Sequence, residues 1–113
     1  MRMWMVEPKI LCDKHLLGEH AECHMLAANL IRKRKITNYI KFNLLEPKSL
    51  HKRHDSLAWE MQQRKFKHKS PLPRYDISYL PNQQQDYKVN VKLSHKDLLA
   101  RCSKCRKRFE QLK

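Results

Sequence analysis

Apolar residues recur at helical spacing in three stretches of this chain. Leu16, Cys23, Leu26 and Leu30 fall on one face of a segment running from about Asp13, its expected N-cap, to Arg34. A second segment, from about Ser49 to Lys65, follows Pro47 and carries Leu50, Leu57 and Met61 as its apolar stripe. Its other face is expected to present His51, Lys52, Arg53, Arg64 and Lys65, with Ser49 as the cap. A third opens at Ser94-His95-Lys96-Asp97, a capping-box-like signal with Asp in place of the usual Glu. Leu98, Cys102, Cys105, Phe109 and Leu112 then follow as one amphipathic stripe. Between the second and third stretches, residues 67–93 contain Pro71, Pro73, Pro81 and the run Gln83-Gln84-Gln85. They predict a long irregular connection, with a short extended piece at Val89 to Val91. There is no internal repeat. The pattern predicts an all-α protein: residues 1–113 as one compact domain of three main helices with long irregular connections.

Composition narrows this further. A chain of 113 residues, 41% hydrophobic, suffices for one modest core and is too apolar for a disordered basic tail. It holds a single glycine, which excludes a glycine-rich phosphate loop, a dinucleotide fold or a turn-rich β protein. That glycine, Gly18, falls inside the first helix, where it costs about 1 kcal/mol relative to alanine, or marks a close approach.

Twenty-five basic residues against 11 acidic ones give a net charge of +14, a field that favours a polyanionic partner. The charge is uneven. Residues 32–69 hold 12 Lys/Arg against Glu46, Asp55 and Glu60 alone. The first 31 residues hold Arg2, Lys9 and Lys14 against Glu7, Asp13, Glu19 and Glu22. Most of the chain is therefore suited to phosphates, while the segment that keeps its carboxylates is where chemistry is expected. No apolar run reaches the 18 residues of a spanning helix and no signal-peptide core opens the chain. A soluble cytoplasmic protein, with no membrane partner and reduced cysteines, is expected.

Three groups of residues could carry chemistry. His15, Glu19 and Glu22, at i, i+4 and i+7, share one helix face beside the core-facing row. That is a costly place for carboxylates unless they are paired, although a solvated polar face would give the same pattern. The opening Met1-Arg2-Met3-Trp4-Met5-Val6 is apolar enough to be buried, which would tie the terminal amine to the fold. An α-amine ordinarily titrates near 8, roughly two units below a lysine, and so can serve as a nucleophile. The plain alternative is a segment that merely packs. Finally, Cys102 and Cys105 form a CxxC, for which Cys12, Cys23 and His24 could supply zinc-binding partners. Both lie on the apolar stripe of the third helix and no glycine is present to make a knuckle, so buried thiols, no metal and no cofactor are the expectation. His51, His54, His68 and His95 sit among lysines and are assigned to a phosphate-contacting surface. The basic residues expected to hold DNA are Arg32, Lys33, Arg34, Lys52, Arg53, Arg64, Lys104, Arg106 and Lys107.

Taken together, Met1-Arg2, the string His15-Leu16-Leu17-Gly18-Glu19-His20-Ala21-Glu22, and Leu50-His51-Lys52-Arg53 leading through Leu57 to Glu60-Met61 and Arg64 resemble the phage pyrimidine-dimer DNA glycosylases of the endonuclease V type. The resemblance runs through most of the chain and is most specific in the first helix. It implies a three-helix enzyme, acting as a monomer on damaged duplex DNA, whose terminal amine displaces the base, forms an imine with the sugar and nicks the strand by β-elimination. Carried over, the amine is that of Met1 and the catalytic carboxylate is Glu22. Arg2, His15, Glu19 and His20 become the substrate-binding positions.

Some positions depart from the family pattern. Arg2 should protect Met1 from removal, so that Met1 itself supplies the amine. Ala21, and His24-Met25, stand where arginines are expected, and the chain ends Phe109-Glu110-Gln111-Leu112-Lys113 without the family's aromatic tail. These differences bear on which lesion is recognised. The alternative reading is a non-catalytic basic helical DNA-binding protein, with a structural zinc as an option.

Overall fold

Helices dominate because the apolar stripes anticipated above have partners to cover them. The computed structural model describes residues 1–67 and 70–112; the assignment made for His68 falls outside them. Among the described residues there are six α-helices and no strand: α1 (Asp13–Ile31), α2 (Thr37–Lys41), α3 (Leu50–Gln63), α4 (Asn82–Gln85), α5 (Val91–Arg101) and α6 (Ser103–Gln111). The architecture is all-α, and only α1, α3, α5 and α6 exceed two turns.

α1 packs along α3, and both expected apolar stripes are buried: Leu16, Cys23, Leu26 and Leu30 join Leu50, Leu57 and Met61 in one cluster. Met3, Trp4, Val6 and Leu11 from the N-terminal segment, Ile36, Leu45, Leu72 and Leu80 from the connections, and Leu98 and Cys105 from α5 and α6 join it. The irregular segments thus contribute anchors to the core.

With one glycine in the chain, the helices need another way to stop. Lys33, Asn43 and Lys65, just beyond α1, α2 and α3, adopt positive φ of 55°, 62° and 67°. Each time the next amide closes back on a carbonyl five residues earlier: Arg34 on Asn29 at 3.0 Å, Leu44 on Tyr39 at 2.8 Å, Phe66 on Met61 at 2.9 Å. These are Schellman closures with a side chain where glycine is usual.

The expected third helix is where pattern and structure part. It begins at Val91, with the Asn90 side chain accepting the Leu93 amide as the true cap; the extended backbone expected around Val89 to Val91 is confined to the residues before the helix, where Asn90 has φ −75° and ψ 100°. It also breaks at Cys102, whose extended backbone (φ −127°, ψ 108°) ends α5 and caps α6, its sulfur accepting the Cys105 amide. The stripe is therefore split: Leu98 and Cys105 are buried while Leu112 is exposed. Ser94 and Asp97 do not cap; both are drawn to the N-terminal segment by Arg2.

Candidate active site

The N-terminal segment is held extended against the body by contacts from several elements. The Met3 amide donates to the Leu44 carbonyl at 2.7 Å, and the Met3 side chain is fully buried. Ser94 donates to the Trp4 carbonyl, and Arg53 Nη1 donates to the Val6 carbonyl at 2.6 Å. Between these pinned carbonyls Met5 takes a left-handed φ of 58°, a strained conformation that the flanking bonds sustain.

Arg2 acts as a strut for this segment. Its guanidinium lies over the Trp4 ring at 3.8 Å and donates to Asp97 at 3.2 Å and to Ser94 at 3.3 Å. Arg2, expected as a substrate-binding position, thus has its head group engaged with Trp4, Ser94 and Asp97 while the residue still lines the cleft described next. The Arg2 amide points at the Oε2 of Glu22, 3.5 Å away. Met1, one residue earlier, lines a cleft of about 300 Å³.

Met1, Arg2 and Trp4 form one wall of that cleft and α1 forms the other, through Lys14, His15, Gly18, Glu19 and Glu22. The α1 residues fall three to four apart, so a single helix face supplies them. Glu22 is half-buried, Met1 is 39% exposed, and Gly18 leaves a gap: a Cβ added there meets nothing within 4 Å. His15 packs edge-on to Trp4, with ring centres 5.9 Å apart. Burial and the neighbouring Lys14 charge hold its imidazole below the usual value, against the opposing pull of Glu22 and Glu19.

Glu19 is enclosed, its side chain fully buried. Arg53 grips both of its oxygens, Nε at 2.6 Å and Nη2 at 2.9 Å. This overturns the assignment of Arg53 to the DNA surface: its side chain is 5% exposed and its donors serve Glu19 and Val6. A buried carboxylate is costly without a partner, and Arg53 is that partner across the α1–α3 contact. Arg64 is likewise committed, to Glu60 at 2.9 Å, Asp13 at 3.0 Å and the Pro8 carbonyl at 3.2 Å, and is corrected for the same reason.

His20 does not line the cleft. It points to the α3 side of α1 and packs with His24 and His54, ring centres 4.7 to 5.1 Å apart. His54 is therefore buried as well, against its assignment to the surface. Arg32, Lys33, Arg34, Lys52, Lys104, Arg106 and Lys107, the other residues assigned to the DNA surface, are all exposed. Lys52 faces a separate hollow of about 450 Å³ that also carries Glu7, Asp55 and Glu60, carboxylates unsuited to a polyanion.

Among the described residues, two groups of side chains could hold a metal ion. One is His20, His24 and His54; the other is Cys12, His15, Cys102 and Cys105. Cys23, considered for the second group, lies apart from it, and burial drives its thiol far above the usual value. Lys14, Trp4, Ser94 and Asp97 went unassigned in the site from the sequence. Lys14 and Trp4 had a signal, being one turn from Gly18 and next to the terminus, whereas Ser94 and Asp97 resembled a cap.

No helix is long and apolar enough to cross a membrane among the described residues. A family model described as pyrimidine dimer DNA glycosylase matches residues 1–74, which span the N-terminal segment, α1 and α3. No curated protein and no solved structure matches the chain.

Proposed function

The chain belongs to the pyrimidine dimer DNA glycosylase family, and on that footing we propose that it excises a damaged base from duplex DNA and then nicks the strand as an AP lyase, using the Met1 amine. The observation that carries this reading is the placement of the chain's start beside a carboxylate. The Arg2 amide lies 3.5 Å from Glu22, and Met1 and Glu22 share one cleft.

In this reaction the neutral amine of Met1 attacks C1′ of the damaged nucleotide as the glycosidic bond breaks, and the base leaves with the bonding pair. Glu22 stabilises the positive charge that develops on the sugar. Ring opening gives an imine between the amine nitrogen and C1′. Removal of a C2′ proton then expels the 3′ phosphate by β-elimination, with Glu22 as the base that takes it. Water finally hydrolyses the imine and regenerates the amine. Reaching a nucleotide in a duplex requires unstacking, and the gap above Gly18 gives the sugar and phosphate space to approach. Lys14, the exposed cation of the cleft, meets the phosphate. Glu19 and Arg53 hold the cleft wall, and Arg2 fixes the direction of the amine.

Borohydride reduction with abasic-site and cyclobutane-dimer duplexes tests the proposal. The expected result is a covalent protein–DNA adduct that disappears when the amine is acetylated or extended by one residue, and that falls at least a hundredfold in Glu22→Gln. The duplex that traps best identifies the lesion. Unimpaired DNA binding with no adduct on either duplex overturns the enzymatic reading and leaves a basic DNA-binding protein.

A further inference from the structure

Three cysteines and a histidine, brought from both ends of the chain, converge behind the cleft. Cys12 precedes α1, His15 lies in its first turn, Cys102 occupies the break between α5 and α6, and Cys105 follows in the first turn of α6. Each offers one ligand atom, and the four atoms lie within 4.8 Å of one another. Cys12 Sγ is 3.8 Å from Cys102 Sγ and 3.2 Å from His15 Nδ1, and Cys105 Sγ is 3.6 Å from the same nitrogen. A tetrahedral zinc with Zn–S of about 2.3 Å and Zn–N of about 2.0–2.1 Å sets its sulfurs about 3.8 Å apart and sulfur and nitrogen about 3.5 Å apart. A disulfide, at about 2.05 Å, is a different geometry.

We propose that Cys12, His15, Cys102 and Cys105 form a structural zinc site that fastens α5 and α6 to the start of α1. The ligand chemistry selects the metal. Three thiolates and an imidazole make a closed, soft, four-ligand set, the kind that holds zinc structurally. Backbone amides already point at two of the sulfurs, Cys12 N–H at Cys105 Sγ (3.2 Å) and Cys105 N–H at Cys102 Sγ (3.4 Å), as charged sulfur requires. On binding, each thiol releases its proton to solvent, and His15 ligates through neutral Nδ1. The resulting centre carries one net negative charge. Lys14, Lys104 and Arg108 surround the hollow beside Cys12 with only Asp13 against them.

The site also accounts for the break at Cys102. A continuous helix would put Cys102 and Cys105 on its apolar face; the extended backbone at Cys102 instead makes the turn that a knuckle needs, without glycine. The matched family region ends at residue 74, so zinc would attach a C-terminal helical pair lying beyond it. His15 lines the catalytic cleft and touches Trp4, so the same ligation would hold that wall still. The proposal does not depend on the glycosylase reading.

Metal content of the full chain, purified without added chelator, provides the test, with cobalt substitution as its spectroscopic readout. One equivalent of zinc is expected. The cobalt form should show thiolate-to-metal charge-transfer absorption and intense tetrahedral d–d bands. Cys102→Ser should lose the equivalent and weaken the charge-transfer band, whereas Cys23→Ala, outside the cluster, should keep both. Should Cys102→Ser fail to fold, the wild-type chain decides alone: a strong chelator should expose three protected thiols to a thiol reagent and lower Tm. Zinc-free protein that takes up cobalt without a charge-transfer band, or binds it through histidine only, overturns the proposal.

Discussion

Glu19 and Glu22 lie one turn apart on α1 yet have opposite fates. Glu19 is sealed into a bidentate pair with Arg53, while Glu22 keeps an open side toward Met1. Breaking the first by Arg53→Ala leaves a buried unpaired carboxylate and an orphaned Val6 carbonyl, and should cost about 3–5 kcal/mol of stability by urea denaturation. Arg53→Met with Glu19→Leu should recover much of that loss in stability and none of the activity if the pair also holds the cleft wall. Gly18 offers the reverse case. Gly18→Ala should stabilise the helix by up to about 1 kcal/mol, because the added methyl meets nothing in the free protein. The same methyl occupies the open face of the cleft, so KM for lesion-bearing duplex should rise while Tm also rises. An unchanged KM would place the sugar elsewhere.

At the scale of elements, α3 begins without a side-chain cap of its own. Tyr75, far along the following connection, takes that place: its hydroxyl donates to the Pro47 carbonyl at 2.9 Å and accepts the His51 amide at 3.2 Å. Burial, only partly offset by the His51 amide, pushes the Tyr75 phenol above its ordinary value. The unfolded chain then loses that proton first. The stabilising contribution is full below the unfolded pKa, near 10, and is lost as pH rises through the higher folded value. Denaturation between pH 9 and 11 should show a steeper fall in wild type than in Tyr75→Phe. Tyr75→Phe itself should cost about 1 kcal/mol at neutral pH, the usual worth of a hydrogen bond. Equal slopes would remove Tyr75 from the account.

Over the whole molecule, a net charge of +14 dominates the encounter with DNA. Affinity should fall steeply with salt, about 0.9 in log K per log salt for each phosphate neutralised. Replacing Arg32, Lys33 and Arg34 together by glutamine should flatten that slope, because these side chains stand in solvent. Removing Arg64 should leave the slope alone while lowering Tm, since its guanidinium is committed to Glu60 and Asp13. Fluorescence anisotropy at several salt concentrations distinguishes the two classes.

Hydrophobic periodicity was enough to place α1 and α3 and their apolar stripes, because burial of those side chains depends chiefly on local spacing, and the apolar composition of the N-terminal segment announced its burial. The face shared by His15, Glu19 and Glu22 was equally legible, since helical geometry dictates it. What spacing could not decide was which charges would be enclosed. Arg53 and Arg64 sit in a basic stretch with Lys52, and what encloses them includes partners 34 and 51 residues away, Glu19 and Asp13, beside the local Glu60 that also pairs with Arg64. Ser94 and Asp97 carry the marks of a cap, yet Arg2, from the far end of the chain, claims them both. The break at Cys102 had no local breaker residue to announce it. There Cys102 meets Cys12, 90 residues away, with its sulfur 3.8 Å from the other, and the meeting of side chains distant in sequence depends on packing, to which periodicity along the chain is blind.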